Sequence, residues 1–373
     1  MDRLPSVDRK SALGFLQDLA SRNLSERTLL RYVKEVVGFH EWLGKPLTKA
    51  TVEDLRGYVR YLLSKGRASY GVRVTTVILK LFLGKWMGKS EVKEVKLPKA
   101  ERPLPKPLDE SEILSMIKVG EKPYEKALVA VLYEGGLRLG ELRNIKIGDV
   151  AVDQYGARVT VNGKSGERPI RLIHSTPFLQ AFLEHHPFRE DLEAYLFFGR
   201  VSVDGEYKPD AKGSITHTGV AHMLKRLAAK AGVNGKRIYP HLLRHSRATV
   251  LSKNMTDREL MTVFGWRTPS MVGVYSHLSM KDVEDKLLSI AGVKAKAEQE
   301  QSPLAPKTCP RCKFVNPATS RFCSQCSMIL DLNTAMQLEE ARARADSVMS
   351  KLLEDLETQR FLASKIKQLH ISK

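Results

Sequence analysis

The first 308 of the 373 residues contain no cysteine, so no disulfide framework spans the chain. No apolar run approaches the roughly 18 residues that a membrane-crossing helix needs. The opening, MDRLPSVDRKSALGFLQ, mixes charges of both signs where a secretion signal needs an apolar core. These absences predict an intracellular, cytoplasmic protein without a membrane partner. Acidic residues are also scarce: 42 Asp and Glu face 61 Lys and Arg, a net charge of +19, with a pI near 9.7. Such an excess repels itself unless it meets a polyanion, and DNA or RNA is the expected one. The rest is ordinary globular composition, 42% hydrophobic and 28% charged, in a chain long enough for two or three domains.

Residues 10–95 read as helices. In TLLRYVKEVVGFHEWLG the apolar Leu29, Leu30, Val33, Val36, Val37, Phe39 and Trp42 recur mostly every three or four positions, the spacing of one buried face. ATVEDLRGYVRYLLSKG repeats the pattern, with Thr51 as the expected cap and Glu53 and Asp54 in the first turn. YGVRVTTVILKLFLGKWMGK is apolar and basic together, which suits a helix packed on one side and facing phosphates on the other. Prolines and lysines crowd the stretch from 96, so 1–95 forms one domain and 96–107 a linker. A second unit, 108–292, starts a helix near Asp109 and Ser111. It is expected to be mostly helical with one β signal: ARVTVNG and ERPIRLI flank GKSG, a hairpin carrying Lys164 at its turn.

Within this unit, Arg138 lies in EGGLRLGELRNI, His241 and Arg244 in HLLRHSRATV, and Tyr275 thirty-one residues after Arg244. Cutting a phosphodiester with a protein oxygen needs a nucleophile, cations for the charge growing on phosphorus, and an acid for the leaving oxygen. Arginine suits the clamp because its planar fork directs two hydrogen bonds and keeps its charge. His241 and Arg244, three apart on a helix, share a face. Each residue alone has an ordinary reading: a surface arginine, a turn lysine, a capping histidine, a core tyrosine. Their joint order carries the argument.

GGLRLGEL, GKSGER in a hairpin, HLLRH, and a GW dipeptide nine residues before a tyrosine resemble the tyrosine recombinases of the phage-integrase and Xer group. The resemblance covers residues 10–290, including an N-terminal part similar to that family's core-DNA-binding domain. It implies a mainly α fold with a small β hairpin or sheet: a helical core-DNA-binding domain and an α+β catalytic domain. It further implies that Arg138 and Arg244 bind the scissile phosphate, Lys164 protonates the 5′-oxygen, and His241 assists as base. Trp266 would donate its indole N–H to the phosphate, and Tyr275 would form a 3′-phosphotyrosine. Glu141 and His245 would support the site. The implied chemistry uses neither ATP nor a catalytic metal, and a homotetramer holds paired sites on double-stranded DNA. Alternatives are a type IB topoisomerase-like relaxation activity and a non-catalytic DNA-binding adaptor on the same scaffold.

The four cysteines, Cys309, Cys312, Cys323 and Cys326, form CPRC–x10–CSQC, the paired spacing of a four-thiolate structural zinc site. A zinc-ribbon-like module over 307–328 is therefore expected, following a flexible tether at 293–306. Residues 280–291 match the place where the family carries a helix swapped between subunits. A final amphipathic helix over 331–373 places Leu338, Ala341, Ala345, Val348, Leu352 and Leu356 on one stripe.

Overall fold

The computed structural model describes residues 5–99, 105–163, 166–203, 206–275, 284, 287, 288, 291 and 302–368. The chain divides into two compact units that meet at Leu104/Pro105, within the proline-rich stretch.

The first unit is a bundle of α1 (Ser6–Ser21), α2 (Glu26–Leu43), α3 (Val52–Ser64) and α4 (Ser69–Lys80). Thr51 caps α3 through a reciprocal box with Asp54, so the cap read from the sequence is present. Phe15, Val36, Phe39, Leu55, Leu79 and Phe82 fill the core. Leu30 departs from the expected apolar face and is 60% exposed, because the buried stripe of α2 runs instead through Glu35, Val36 and Phe39. Glu35 is tolerated there because Arg67 donates to both of its oxygens, at 3.2 and 2.7 Å, and Thr75 donates at 2.9 Å.

The second unit starts with α5 (Glu110–Lys118), capped by Asp109 and Glu112, and α6 (Pro123–Glu134), whose buried residues make it the axis of the core. The short α7 (Leu139–Asn144) leads into an antiparallel sheet of β1 (Val150–Asp153), β2 (Gly156–Gly163) and β3 (Gly166–Leu172). The expected hairpin is β2–β3, with Gly163 opposite Gly166. Further on come α8 (Thr176–Glu184), the strand pair β4 (Phe198–Val203) and β5 (Glu206–Ser214), α9 (His217–Lys230), α10 (Pro240–Leu251) and α11 (Asp257–Phe264). Strand β1 and the β4–β5 pair add to the single hairpin expected. The Asp204-Gly205 dipeptide between β4 and β5 is the hairpin signal that the sequence reading passed over.

The cysteine segment belongs to this same compact unit rather than standing apart. Leu304, 4% exposed, is part of the main core cluster, so the end of the expected tether is packed. Residues 293–301 of that tether, and most of 280–291, lie outside the described residues. β6 (Lys307–Thr308) pairs with β7 (Val315–Asn316). The terminal segment is two helices, α12 (Leu332–Glu354) and α13 (Leu356–Gln368), not one. Asp355 is extended (φ −76°, ψ 121°) and takes hydrogen bonds from Thr358 N and Oγ1, both at 2.8 Å, so it caps a new helix. The expected stripe, from Leu338 on α12 to Leu356 at the start of α13, is exposed along its length.

Candidate active site and cysteine cluster

α11 carries the site's framework. It starts at a Thr256–Glu259 capping box and ends at Gly265, whose φ of +59° closes the helix. A helix end leaves carbonyls without internal partners and gathers partial negative charge. Here three consecutive carbonyls each accept from a different arginine. Arg168 Nε donates to Val263 O at 3.2 Å, Arg244 Nη2 to Phe264 O at 2.6 Å, and Arg138 Nη2 to Gly265 O at 3.1 Å.

Arg244, in α10, is 1% exposed, and its Nη1 also donates to Gly136 O at 2.6 Å. Gly136 has φ +54°, and a Cβ there would come within 2.4 Å of the Phe264 ring, so only glycine brings this carbonyl to the guanidinium. Glu141 is the carboxylate at the centre. It accepts from Arg138 N at 2.9 Å, Arg138 Nη1 at 2.7 Å and Arg168 Nη2 at 3.2 Å, and lies 3.9 Å from Arg244 Nη1. Three guanidinium groups against one carboxylate leave an excess of positive charge in a largely buried place. Burial and the adjacent Arg138 pull Arg244 down to about 9. The pocket is thus short of negative charge, which suits it to an anion.

The aromatic side is equally ordered. Trp266 stacks on Phe264 (4.7 Å between centroids) and on Tyr275 (5.3 Å, interplanar 6°), with the Arg244 guanidinium 5.8 Å from the Trp266 ring centre. Tyr275 is 7% exposed and packs in one cluster with Ala248, Leu260, Phe264, Trp266 and Val272. Its hydroxyl hydrogen-bonds His245 Nδ1. His241, in the first turn of α10, sets its ring edge-to-face on His245 at 4.6 Å. Burial, then the His245, Arg244 and Arg138 neighbours, lowers the His241 pKa; burial and Arg244 lower that of His245. Burial raises Tyr275 to about 12, against the lowering pull of Arg244.

The fold therefore gathers Arg138, Glu141, His241, Arg244, His245, Trp266 and Tyr275 from segments 137 positions apart, with the nucleophile candidate among the cations of its own chain. Lys164 lies outside the described residues; β2 and β3 end at Gly163 and Gly166 on either side of it. A cleft of about 780 Å³ opens beside Arg138 and includes Asn162 and Gly163. Arg168 was missed by sequence reasoning. Its place on β3, four residues after Lys164, was the available signal.

Two similar turns build the cysteine cluster. In the first, Lys313 N donates to Cys309 O at 2.9 Å and Cys309 N to Phe314 O at 2.9 Å; in the second, Ser327 N donates to Cys323 O at 2.9 Å and Cys323 N to Met328 O at 2.7 Å. The residue after each CxxC, Lys313 (φ 62°) and Ser327 (φ 58°), is left-handed, which swings both thiols of a pair to one side. All four Sγ atoms lie within 4.8 Å of one another, and all four thiols are free. Asn316, fully buried, donates toward Cys323 Sγ at 3.6 Å and accepts from Ser324 N at 2.9 Å. Four soft donors at this spacing fit a tetrahedral zinc ion.

The fold and the cation-lined tyrosine pocket define a class, the enzymes that attack DNA phosphodiesters through a tyrosine. A model of the phage integrase family matches residues 106–282, and one of the phage integrase N-terminal SAM-like domain matches residues 13–82. Tyrosine recombinase XerC of Staphylococcus aureus is 32% identical over 308 residues, 77% of this chain and 98% of that protein. The chain belongs to the tyrosine recombinase family. The solved structures that share its fold include a transposon integrase and a phage integrase. The Tn1549 transposon integrase in complex with transposon right end DNA has a TM-score of 0.60 at 16% identity, covering 75% of this chain and 99% of that one. A lambda integrase tetramer bound to a Holliday junction has a TM-score of 0.56 at 16% identity, covering 72% and 76%. Among the described residues, no helix is long and apolar enough to cross a membrane.

Proposed function

We propose that this chain cuts and rejoins double-stranded DNA at specific sites through a 3′-phosphotyrosine on Tyr275, without ATP or a catalytic metal. One observation carries the assignment of the nucleophile: the Tyr275 ring stacks on Trp266 beside Arg244, in a pocket whose cations outnumber its carboxylates. Arg138 and Arg244 bind the non-bridging oxygens of the scissile phosphate, using N–H groups not committed to carbonyls. Glu141 holds Arg138 in place, and Lys164, which follows β2 in the sequence, protonates the departing 5′-oxygen. The phosphotyrosine conserves the free energy of the broken linkage, so a 5′-hydroxyl of another strand reseals it. The net charge of +19 supports a polyanionic partner. A homotetramer on paired sites is the working assembly, by likeness to the junction-bound lambda integrase. The four thiolates hold a structural zinc, which fixes the two cysteine turns against each other and takes no part in strand cleavage.

A suicide DNA substrate that loses its 5′-hydroxyl after cutting tests the assignment. The unsubstituted protein accumulates a covalent adduct that maps to Tyr275. Tyr275→Phe binds the same DNA and forms none. An adduct that persists in this variant excludes Tyr275 as nucleophile.

A further inference from the structure

The family resemblance gave His241 the part of the assisting base, yet the side chain that touches the nucleophile is the other histidine of α10. We propose that His245, through Nδ1, takes the phenol proton of Tyr275 as the phosphotyrosine forms. The proposal rests on Tyr275 being the nucleophile.

Three observations place it. First, the Tyr275 hydroxyl hydrogen-bonds His245 Nδ1, with ring centroids 5.5 Å apart; among the described residues it meets no other side-chain partner. Second, His245 sits one turn after His241 on α10, and the two rings meet edge-to-face. The charged groups acting on His241 are His245 first, then Arg244, Arg138 and Glu141, and no contact joins it to the phenol among the described residues. Third, the groups around His245 keep its ring neutral. His241 and Arg244 face it from α10, and Tyr275 faces it from the segment after α11. Arg138 and Glu141 stand behind Arg244, and Glu141 is paired with arginines. Burial together with Arg244 holds the imidazole below its ordinary pKa, the form that accepts a proton. A phenol raised to about 12 by burial needs such an acceptor at neutral pH.

The step balances. The O–H bond of Tyr275 breaks and its proton passes to His245 Nδ1, giving an imidazolium. The phenolate oxygen bonds to phosphorus, the bond from phosphorus to the 5′-oxygen breaks, and that oxygen takes its proton from the separate acid. In rejoining, the imidazolium returns its proton to the departing phenol. His241 is left to serve the phosphate and the leaving oxygen.

The test uses the full chain on a DNA substrate with sulfur in place of the scissile 5′-bridging oxygen, because a thiolate leaves without an acid. Single-turnover adduct formation is followed against pH. His245→Asn keeps a hydrogen-bond acceptor near the Nδ1 position but accepts no proton. It should cut about 10²-fold more slowly at neutral pH. The loss should be the same on the oxygen and sulfur substrates, with DNA affinity unchanged. Its rate should climb about tenfold per pH unit as hydroxide replaces the base, while the unsubstituted protein levels off. A variant within a few-fold of the unsubstituted protein overturns the proposal, and so does a slow variant whose rate ignores pH, since that marks a merely positioning residue. A second readout needs no His245 variant: Tyr275→Phe should shift the nitrogen resonance of His245 Nδ1, and an unmoved resonance overturns the contact. If the unsubstituted protein forms no adduct at all, the nucleophile assignment fails instead, so the two failures are distinguishable.

Discussion

The catalytic pocket and the cysteine cluster solve one problem, the gathering of several like side chains at a point, by opposite means. The cluster draws its ligands from 18 consecutive residues, and two repeated turns aim them, so local backbone geometry suffices. The pocket draws on residues 138 to 275, and only the packing of α6, α7, β3, α10 and α11 brings them together. In the cluster the metal would repay the crowding of thiolates. In the pocket backbone carbonyls and Glu141 hold the arginines before any ligand arrives. A preorganised site needs no reorganisation at the moment of reaction, whereas a metal-knit one depends on its ion for its fold.

Substitution at Arg244 probes the pocket hardest. Arg244→Ala should slow adduct formation by about 10³-fold. It should also destabilise the second unit by about 1–3 kcal/mol for each of the Gly136 and Phe264 carbonyls left without a donor. Arg244→Lys should recover stability better than rate, because it keeps the charge and loses the fork. Single-turnover cleavage and denaturant midpoints separate the two effects; a fast Ala variant would remove Arg244 from the clamp. Next in size, replacing Cys309 and Cys323 by Ser together should abolish bound zinc, read by metal analysis, and expose 307–328 to protease. Cleavage of a short substrate should stay within a few-fold, since none of the thiols touches the pocket. A collapse of cleavage would show that the two regions are not separable.

Leu304→Ala cuts across the comparison. The residue precedes the cysteines yet lies in the main core, so it should cost about 2–5 kcal/mol of the second unit's stability and leave zinc stoichiometry intact. The smallest effect is on pH. His241 and His245 have folded pKa values below the ordinary 6.5, so the unfolded chain binds more protons. Stability is therefore full above about pH 6.5 and declines as the pH falls toward about 4. His241→Gln should flatten part of that slope in pH-dependent melting.

The same contrast explains what was readable. Cys309 to Cys326 announced themselves by spacing, because their geometry is local. Thr51 and Asp109 were legible as caps for the same reason. Arg138, Arg244 and Tyr275 stood out only through the order of motifs that resemble a family; nothing in their local sequence says that they meet. Arg168 gave only a faint signal, its place four residues after Lys164, because its partners are the Glu141 carboxylate and a carbonyl 95 residues away. The break at Asp355 was hidden because the apolar stripe runs through it, while one carboxylate and Thr358 decide where the second helix starts.

Three arginines dock on the peptide oxygens of positions 263, 264 and 265. A peptide oxygen is the one acceptor that no point mutation deletes. Relatives should thus be free to exchange the side chain at 263 as long as the helix persists, while the glycine at 136 and the Phe264 ring it must clear stay fixed together. Drift is absorbed where the scaffold is main chain, and selection bears instead on the few places where a missing side chain makes room.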